Sequence, residues 1–374
     1  MIQTYNQYPI EIVKGSGNFV WDNHGKKYLD FYGGHATCLL GHCPKNVLNA
    51  INQQSRDLLF YSNIFYTKPQ VRLAKKLAQT LLPQKYQVYF VNSGSEANEA
   101  AIKMARKYTG KQHIISFKNS FHGRSITSLS VTGIPSYHQF SPNLDSYTTF
   151  AELGDIESVE KSFTQDTACV ICEPIQSIGG MKMASKKFYK ELEKLCKKKK
   201  GLLVFDEVQT GLGRTGAFWF SKSMGIFPDI ITTAKGLASG LPLAAVMVKH
   251  TVSATIQSGE HATTFGGGPV VCTAALATIH TILEKEFLHN VKMKSEYFRS
   301  QLLNFNSVKA ISGKGFLLGV TLKKPIPHLV ERCLYLGLII GSSFDPATLR
   351  LMPPLTVSKK DIDLFLEIFS SVLT

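Results

Sequence analysis

The 374-residue chain is short of several things. No apolar run approaches the ~20 residues that a membrane-spanning helix needs. The opening MIQTYNQYPIEIVKG has no charged stretch followed by an apolar one, which predicts no secretory signal and makes the cytoplasm the expected compartment. Repeats and low-complexity linkers are absent. Cysteine lacks a pattern: Cys38, Cys43, Cys169, Cys172, Cys196, Cys272 and Cys333 are odd in number and irregularly spaced, which predicts free thiols. Cys169 and Cys172 do form a CxxC. However, Ala168–Glu173 reads as a buried strand, where residues three apart face opposite ways, so packing is expected and no metal site. Acidic residues are scarce, 27 against 42 Lys and Arg, for a net charge of +15. That balance raises nucleic acid as a partner. Much of the excess, though, lies at Lys182, Lys186, Lys187, Lys190, Lys194 and Lys197 to Lys200, on or beside one helix striped by Phe188, Leu192 and Leu195. A solvated helix face is the expectation, and with no platform of basic and aromatic residues, neither a nucleic-acid nor a membrane partner is expected.

What is present is an ordinary globular composition, 44 % hydrophobic, in a chain longer than one core usually supports. Two domains are expected. Gly15–Phe31 reads as a hairpin around the turn Asp22–Gly25. From about residue 69, helices alternate with short apolar strands at Val88–Val91, His113–Phe117, Ala168–Cys172, Leu202–Phe205, Asp229–Thr232 and Ala244–Val248. Ser95–Tyr108 and Lys186–Lys199 are among the helices. This alternation predicts an α/β fold with a mostly parallel sheet between helices. After about residue 270 come helices, then short strands near Gly315–Leu322 and Leu349–Leu351. The predicted division is a large domain over 56–270 and a smaller α+β domain built from both chain ends, 1–55 and 271–374.

In such sheets ligands gather beyond the carboxyl ends of the strands. The polar residues there are Asn92-Ser-Gly-Ser95, Asn119-Ser-Phe-His-Gly-Arg124, Glu173, Asp206-Glu207 and Lys235-Gly236. Gly94 permits close backbone approach, Ser95 suits a helix cap, and the helix start suits a phosphate. Glu96 and Glu99 suit the helix dipole. Asp206 ends an apolar strand, where a carboxylate binds a metal, caps a helix or pairs with a buried cation. Lys235 follows another strand. Desolvation there would lower its pKa, which a Schiff-base lysine requires. Taken singly, each residue also reads as ordinary strand-end chemistry.

Together they resemble a known family. Leu40-Gly-His-Cys-Pro44, Ser62–Gln70, Asn92–Ala100, Phe121-His-Gly-Arg124, Glu173-Pro-Ile-Gln176, Phe205–Gly216, Ala234-Lys-Gly236, Thr263–Gly267 and Leu349–Leu355 occur in family order across nearly the whole chain. They are similar to segments of the class III, fold type I aminotransferases, which use pyridoxal phosphate, and most of all to the acetylornithine aminotransferase group. The resemblance implies that Lys235 holds pyridoxal phosphate as a Schiff base and later moves the proton between substrate and cofactor carbons. Asp206 would keep the pyridine nitrogen protonated. Gln209 would lie by the ring hydroxyl, Phe121 on the ring face, and Gly94 and Ser95 at the phosphate. Thr264 would reach the phosphate of a neighbouring subunit's cofactor, making a homodimer with shared sites. Arg350 would bind the α-carboxylate of glutamate or 2-oxoglutarate, and Arg124 the carboxylate at the substrate's far end. For each arginine a structural ion pair is the alternative. His122, His35 and His42 need no catalytic role, although Tyr32–Cys38 could line the substrate entrance.

The implied reaction is ping-pong transfer of the ω-amino group of N-acetylornithine, or another acylated ornithine, to 2-oxoglutarate, a step of arginine biosynthesis. Ornithine, 4-aminobutyrate and acylated diaminopimelate are alternative donors. A racemase or eliminase on the same cofactor is a rival in chemistry. Three segments depart from the family. Ile178 stands where a glutamate usually covers the arginine matching Arg350, Gly266-Gly-Gly-Pro269 replaces Gly-Gly-Asn-Pro, and Tyr32-Gly-Gly-His35 replaces the commoner Ala-Gly-Ile segment. Without the glutamate, either another carboxylate covers Arg350, with Glu173 a candidate by chain proximity, or the guanidinium stands open to solvent.

Overall fold

The computed structural model describes residues 2–139, 141, 144 and 146–373. Its centre is a seven-stranded sheet. In chain order the strands are β1 (Tyr86–Val91), β2 (His113–Phe117), β3 (Thr148–Ala151), β4 (Thr167–Cys172), β5 (Leu202–Asp206), β6 (Ile230–Thr233) and β7 (Ala244–Lys249). They lie in the order β1-β7-β6-β5-β4-β2-β3. The contacts from β6 through β3 are parallel, and β7 runs antiparallel to both its neighbours. Every residue of β4 and β5 is buried. Strands covered on both faces read as continuous apolar runs, and these do.

Alternation divides the two faces. Cys169, Ile171 and Val204 join one core with the helix α1 (Gly94–Thr109). Val170, Cys172, Leu203 and Phe205 join a second core with α2 (Lys186–Lys199). Cys169 and Cys172 therefore face opposite ways. In α2 the buried residues Phe188, Tyr189, Leu192, Leu195 and Cys196 make one stripe, while Ser185 caps the start by accepting from the Phe188 N–H at 3.2 Å. Its lysines ring the other side, and the last three sit where the helix dipole favours cations. The β3 strand, whose alternation is brief, is not evident in the sequence.

The chain ends meet. Phe19–Asp22 and Lys27–Asp30 form the expected hairpin, and Leu338–Ile339 adds to it in parallel, pairing Leu338 with Leu29. A further sheet joins Val308–Lys314, Leu317–Leu322, Thr348–Leu351 and Gly341–Ser342. Its strand Thr348–Leu351 carries Arg350, paired with Gly319 on one side and Gly341 on the other. No helix among the described residues is long and apolar enough to cross a membrane.

Candidate active site

The parallel strands deliver their carboxyl ends to one edge, and there a cavity of about 440 Å³ opens. Asn92–Ser95 reach it from β1, Phe121–Arg124 from beyond β2, Glu173 from β4, Asp206 and Gln209 from β5, and Ala234-Lys235 from β6. The antiparallel β7 contributes the residues before its start, Gly240 to Leu243. The clustering expected at the sheet edge is therefore present, with Gly94, Ser95, Phe121, Arg124, Asp206, Gln209 and Lys235 around one space.

Lys235 opens a short 3-10 turn and has a φ of 42°, a strained value for a residue with a side chain. Gly236 makes this turn possible, since a Cβ there would sit 2.3 Å from the side chain of Leu39, itself packed in the core. Burial pushes the Lys235 amine below its ordinary value. Arg350 adds to this, and Asp206 and Glu173 work against it.

Asp206 is fixed by three donors. Its Oδ1 accepts from the Val208 N–H at 3.0 Å, and its Oδ2 accepts from Asn98 Nδ2 at 2.8 Å and from His122 Nδ1 at 2.9 Å. His122 is thus a positioning group for the carboxylate. Asn98 also donates to the His122 carbonyl and accepts from Thr232 Oγ1. It was not singled out from the sequence. A buried asparagine on the alanine face of α1, between Ala97 and Ala100, is the signal that could have found it.

Ser93, not Ser95, caps α1, accepting from the Glu96 N–H at 3.2 Å. The helix begins one residue earlier than expected, at Gly94. Ser95 Oγ instead meets Ser125 and Ser128 at 2.6 Å each and accepts from the Arg124 and Ser125 N–H groups. Glu96 folds back onto Asn92, while Glu99 is taken up by the Ser128 N–H.

Pyridoxal phosphate fits these residues. Gln209 Oε1 is buried without a hydrogen-bond partner, an acceptor waiting for a hydroxyl. The start of α1 supplies an anion cradle with two serines around it. Phe121 and Val208 both line the cavity, which suits a flat ring.

The arginines differ in setting. Arg124 is exposed on the cavity wall, its guanidinium carbon 3.8 Å from the centre of the Tyr137 ring and 5.8 Å from that of Phe121. Arg350 is 9 % exposed and does not line the cavity, donating to the Ser342 carbonyl at 2.6 Å and to Ser177 Oγ and Tyr32 Oη at 3.4 Å each. Among the described residues neither arginine forms an ion pair, so the structural alternative finds no support. Both expectations for the cover of Arg350 are corrected. Glu173 accepts from the Phe121 N–H at 2.7 Å and the Ser177 N–H at 3.4 Å, and does not reach the guanidinium. Nor does Arg350 stand open, because Tyr32 lies over it, 5.8 Å from ring centre to guanidinium carbon. Ile178 does line the cavity.

Thr264 is exposed and does not line this cavity. It borders a separate groove with Phe60, Ile64 and Tyr66.

The class-III aminotransferase family model matches residues 1–373. The acetylornithine aminotransferase of Listeria innocua is 42 % identical over 374 residues, covering 99 % of this chain and 96 % of its own length. That of Methanocaldococcus jannaschii is 39 % identical over 383 residues, with 100 % and 96 % covered. Among solved structures, ornithine aminotransferase from Toxoplasma gondii superposes with a TM-score of 0.92 at 26 % identity, over 100 % of this chain and 92 % of that one. N-acetylornithine aminotransferase from Stenotrophomonas maltophilia gives 0.86 at 28 %, over 99 % and 96 %. The fold is therefore that of the fold type I aminotransferases, and the chain belongs to the class-III aminotransferase family.

Proposed function

We propose that this aminotransferase moves the ω-amino group of N-acetylornithine, or of another acylated ornithine, to 2-oxoglutarate, using pyridoxal phosphate held at Lys235. The observation that carries the donor is the likeness to acetylornithine aminotransferases over the whole chain length. When bound, the cofactor supplies an electron-accepting ring and carries the amino group between the two half-reactions.

The protein's residues do the rest. Lys235 Nζ, whose pKa burial holds below its ordinary value, would take the proton from the substrate carbon and return it one position away. Asp206, held rigid by Val208, Asn98 and His122, keeps the ring nitrogen protonated. Gln209 accepts from the ring hydroxyl. Gly94 and Ser95 hold the phosphate at the start of α1, and Phe121 stacks on the ring. Arg124 and Arg350 receive carboxylates, and a site with two guanidiniums and no acidic partner among the described residues is suited to a dicarboxylate such as 2-oxoglutarate.

The chain divides into a large domain, 56–270, and a small one from 1–55 and 271–374. It works as a homodimer in which Thr264 reaches the partner's cofactor phosphate. The exposed Phe60, Ile64, Phe65, Tyr66 and Phe265 beside Thr264 support this, since so much clustered apolar surface suits a protein interface. A screen of amino donors against 2-oxoglutarate, read by glutamate release, tests the function. N-acetylornithine should give the highest kcat/KM. Preference for free ornithine would move the chain toward the neighbour from Toxoplasma gondii, and no glutamate from any donor would refute transamination.

A further inference from the structure

Tyr32, in one segment that departs from the family, and Ser177, the neighbour of the departing Ile178, lie far apart in the chain yet both reach Arg350. A mostly buried guanidinium without an anion is costly unless its N–H groups find acceptors. Here the acceptors are neutral: the Ser342 carbonyl, Ser177 Oγ and Tyr32 Oη. Tyr32 Oη in turn lies 2.6 Å from His35 Nδ1. The guanidinium has only hydrogens to give, so the Tyr32 oxygen accepts from it. The hydroxyl hydrogen is left to be given, and His35 Nδ1 takes it in the tautomer that carries its proton on Nε2. Burial, Arg350 and Lys235 all push His35 below its ordinary value, and burial raises Tyr32, and both shifts favour the neutral ring.

The fold invests in this arrangement. Gly33, Gly34, His35 and Ala36 form a left-handed turn, with φ values of 59°, 54°, 60° and 66°. For His35 and Ala36 that conformation is strained by about 1–2 kcal/mol each. It persists because the turn is held from several sides. Asp30 Oδ1 accepts from the Tyr32 and Gly33 N–H groups at 2.9 and 2.8 Å, the Met352 N–H donates to the Phe31 carbonyl, and the buried Arg214 donates to the Ala36 carbonyl. Tyr32 also lies against Gly341, where a Cβ would come within 2.5 Å of the ring. Strain that is locked so thoroughly marks a position where side-chain direction matters.

We propose that Tyr32 and His35 are specificity-determining residues of the Arg350 subsite, forming a neutral, hydrogen-bonded cover in place of a carboxylate. An entering keto-acid carboxylate then has no ion pair to break. It displaces the Tyr32 hydroxyl from the guanidinium, and the same hydroxyl, turned from His35, donates to the carboxylate oxygen. When the donor's uncharged methylenes occupy the space, the hydroxyl returns to His35 and the Tyr32 ring and Ile178 present apolar surface. The cost of a neutral cover is weak exclusion of unwanted carboxylates, so excess 2-oxoglutarate or glutarate competes with the donor. The inference rests on the transaminase reading above.

The test uses the holoenzyme and three measurements: the donor half-reaction, the keto-acid half-reaction of the aminated enzyme, and glutarate binding by calorimetry. Tyr32→Phe keeps the ring and removes the hydroxyl. It should weaken 2-oxoglutarate and glutarate roughly tenfold or more, the usual scale for a lost hydrogen bond to a charged group, and far more than it raises the donor KM. His35→Gly removes the acceptor while relaxing the backbone, and should reproduce part of the effect. His35→Asn, which tolerates a positive φ and places an oxygen near the Nδ1 position, should restore it. Ile178→Glu should weaken glutarate binding and relieve substrate inhibition by 2-oxoglutarate. Equal losses in both half-reactions, or unchanged carboxylate affinity in Tyr32→Phe, would overturn the proposal. If the wild type yields no glutamate from any donor, the transaminase reading fails, and the glutarate affinities of the same proteins still decide the cover.

Discussion

Glu173 gives the fold a pH signature that can be worked out in advance. Its carboxyl is buried at the cavity wall and accepts from the Phe121 N–H, and burial pushes its pKa up from 4.5 to about 7. His122 opposes this rise, nearby Asp206 adds to it, and the two backbone N–H groups of Phe121 and Ser177 also oppose it. A group whose folded pKa is raised binds more protons folded than unfolded. Unfolding free energy therefore falls as pH rises between the two values. Across 4.5 to 7 the span corresponds to about 3 kcal/mol. Glu173→Gln removes this dependence. The amide oxygen keeps the Phe121 hydrogen bond, whereas the amide nitrogen faces the Ser177 N–H and loses the longer one, a pH-independent cost of about 1 kcal/mol. At pH 5 the variant should be level with the wild type or slightly weaker. At pH 8 it should be more stable, with the gap having shifted by about 3 kcal/mol. Urea unfolding of both holoenzymes at pH 5, 6, 7 and 8 measures this, at one protein and one cofactor concentration because both alter apparent stability. Parallel profiles for the two proteins would refute the reasoning and place an ionised Glu173 in the fold at pH 5.

Two further outcomes follow from the site. Asp206→Ala should bind cofactor and keep colour yet react roughly 10³-fold more slowly in single turnover, since the ring nitrogen loses its anion; near-normal rates would assign that anion elsewhere. Gly236→Ala should cost about 1–3 kcal/mol through overpacking against Leu39 and should disturb the Lys235 absorbance band, as thermal melts and visible spectra can check.

The sequence carried six of the seven strands of the sheet and their order of chemistry because each is local: apolar runs that lead into Glu173, Asp206 and Lys235. It carried Asn98 and His122 poorly, because their purpose depends on a carboxylate over eighty residues away meeting them across the sheet edge. The capping of α1 was misplaced by two residues because Ser93 and Ser95 have equal propensity, and only the pull of Ser125 and Ser128 on Ser95 separates them. The cover of Arg350 was illegible for a stronger reason. Its hydroxyl comes from Tyr32, which precedes a left-handed turn and lies 318 residues away in sequence, and no local pattern announces that geometry. What the sequence did expose was the correlated oddity, a missing glutamate and an unusual Tyr-Gly-Gly-His.

The central claim is that Lys235 is the residue bonded to the cofactor. Borohydride reduction of the holoenzyme, followed by proteolysis and mass spectrometry, reads it directly. A pyridoxyl adduct on the peptide containing Ala234-Lys235-Gly236, absent in Lys235→Ala, is the predicted result; an adduct on any other lysine would contradict the account.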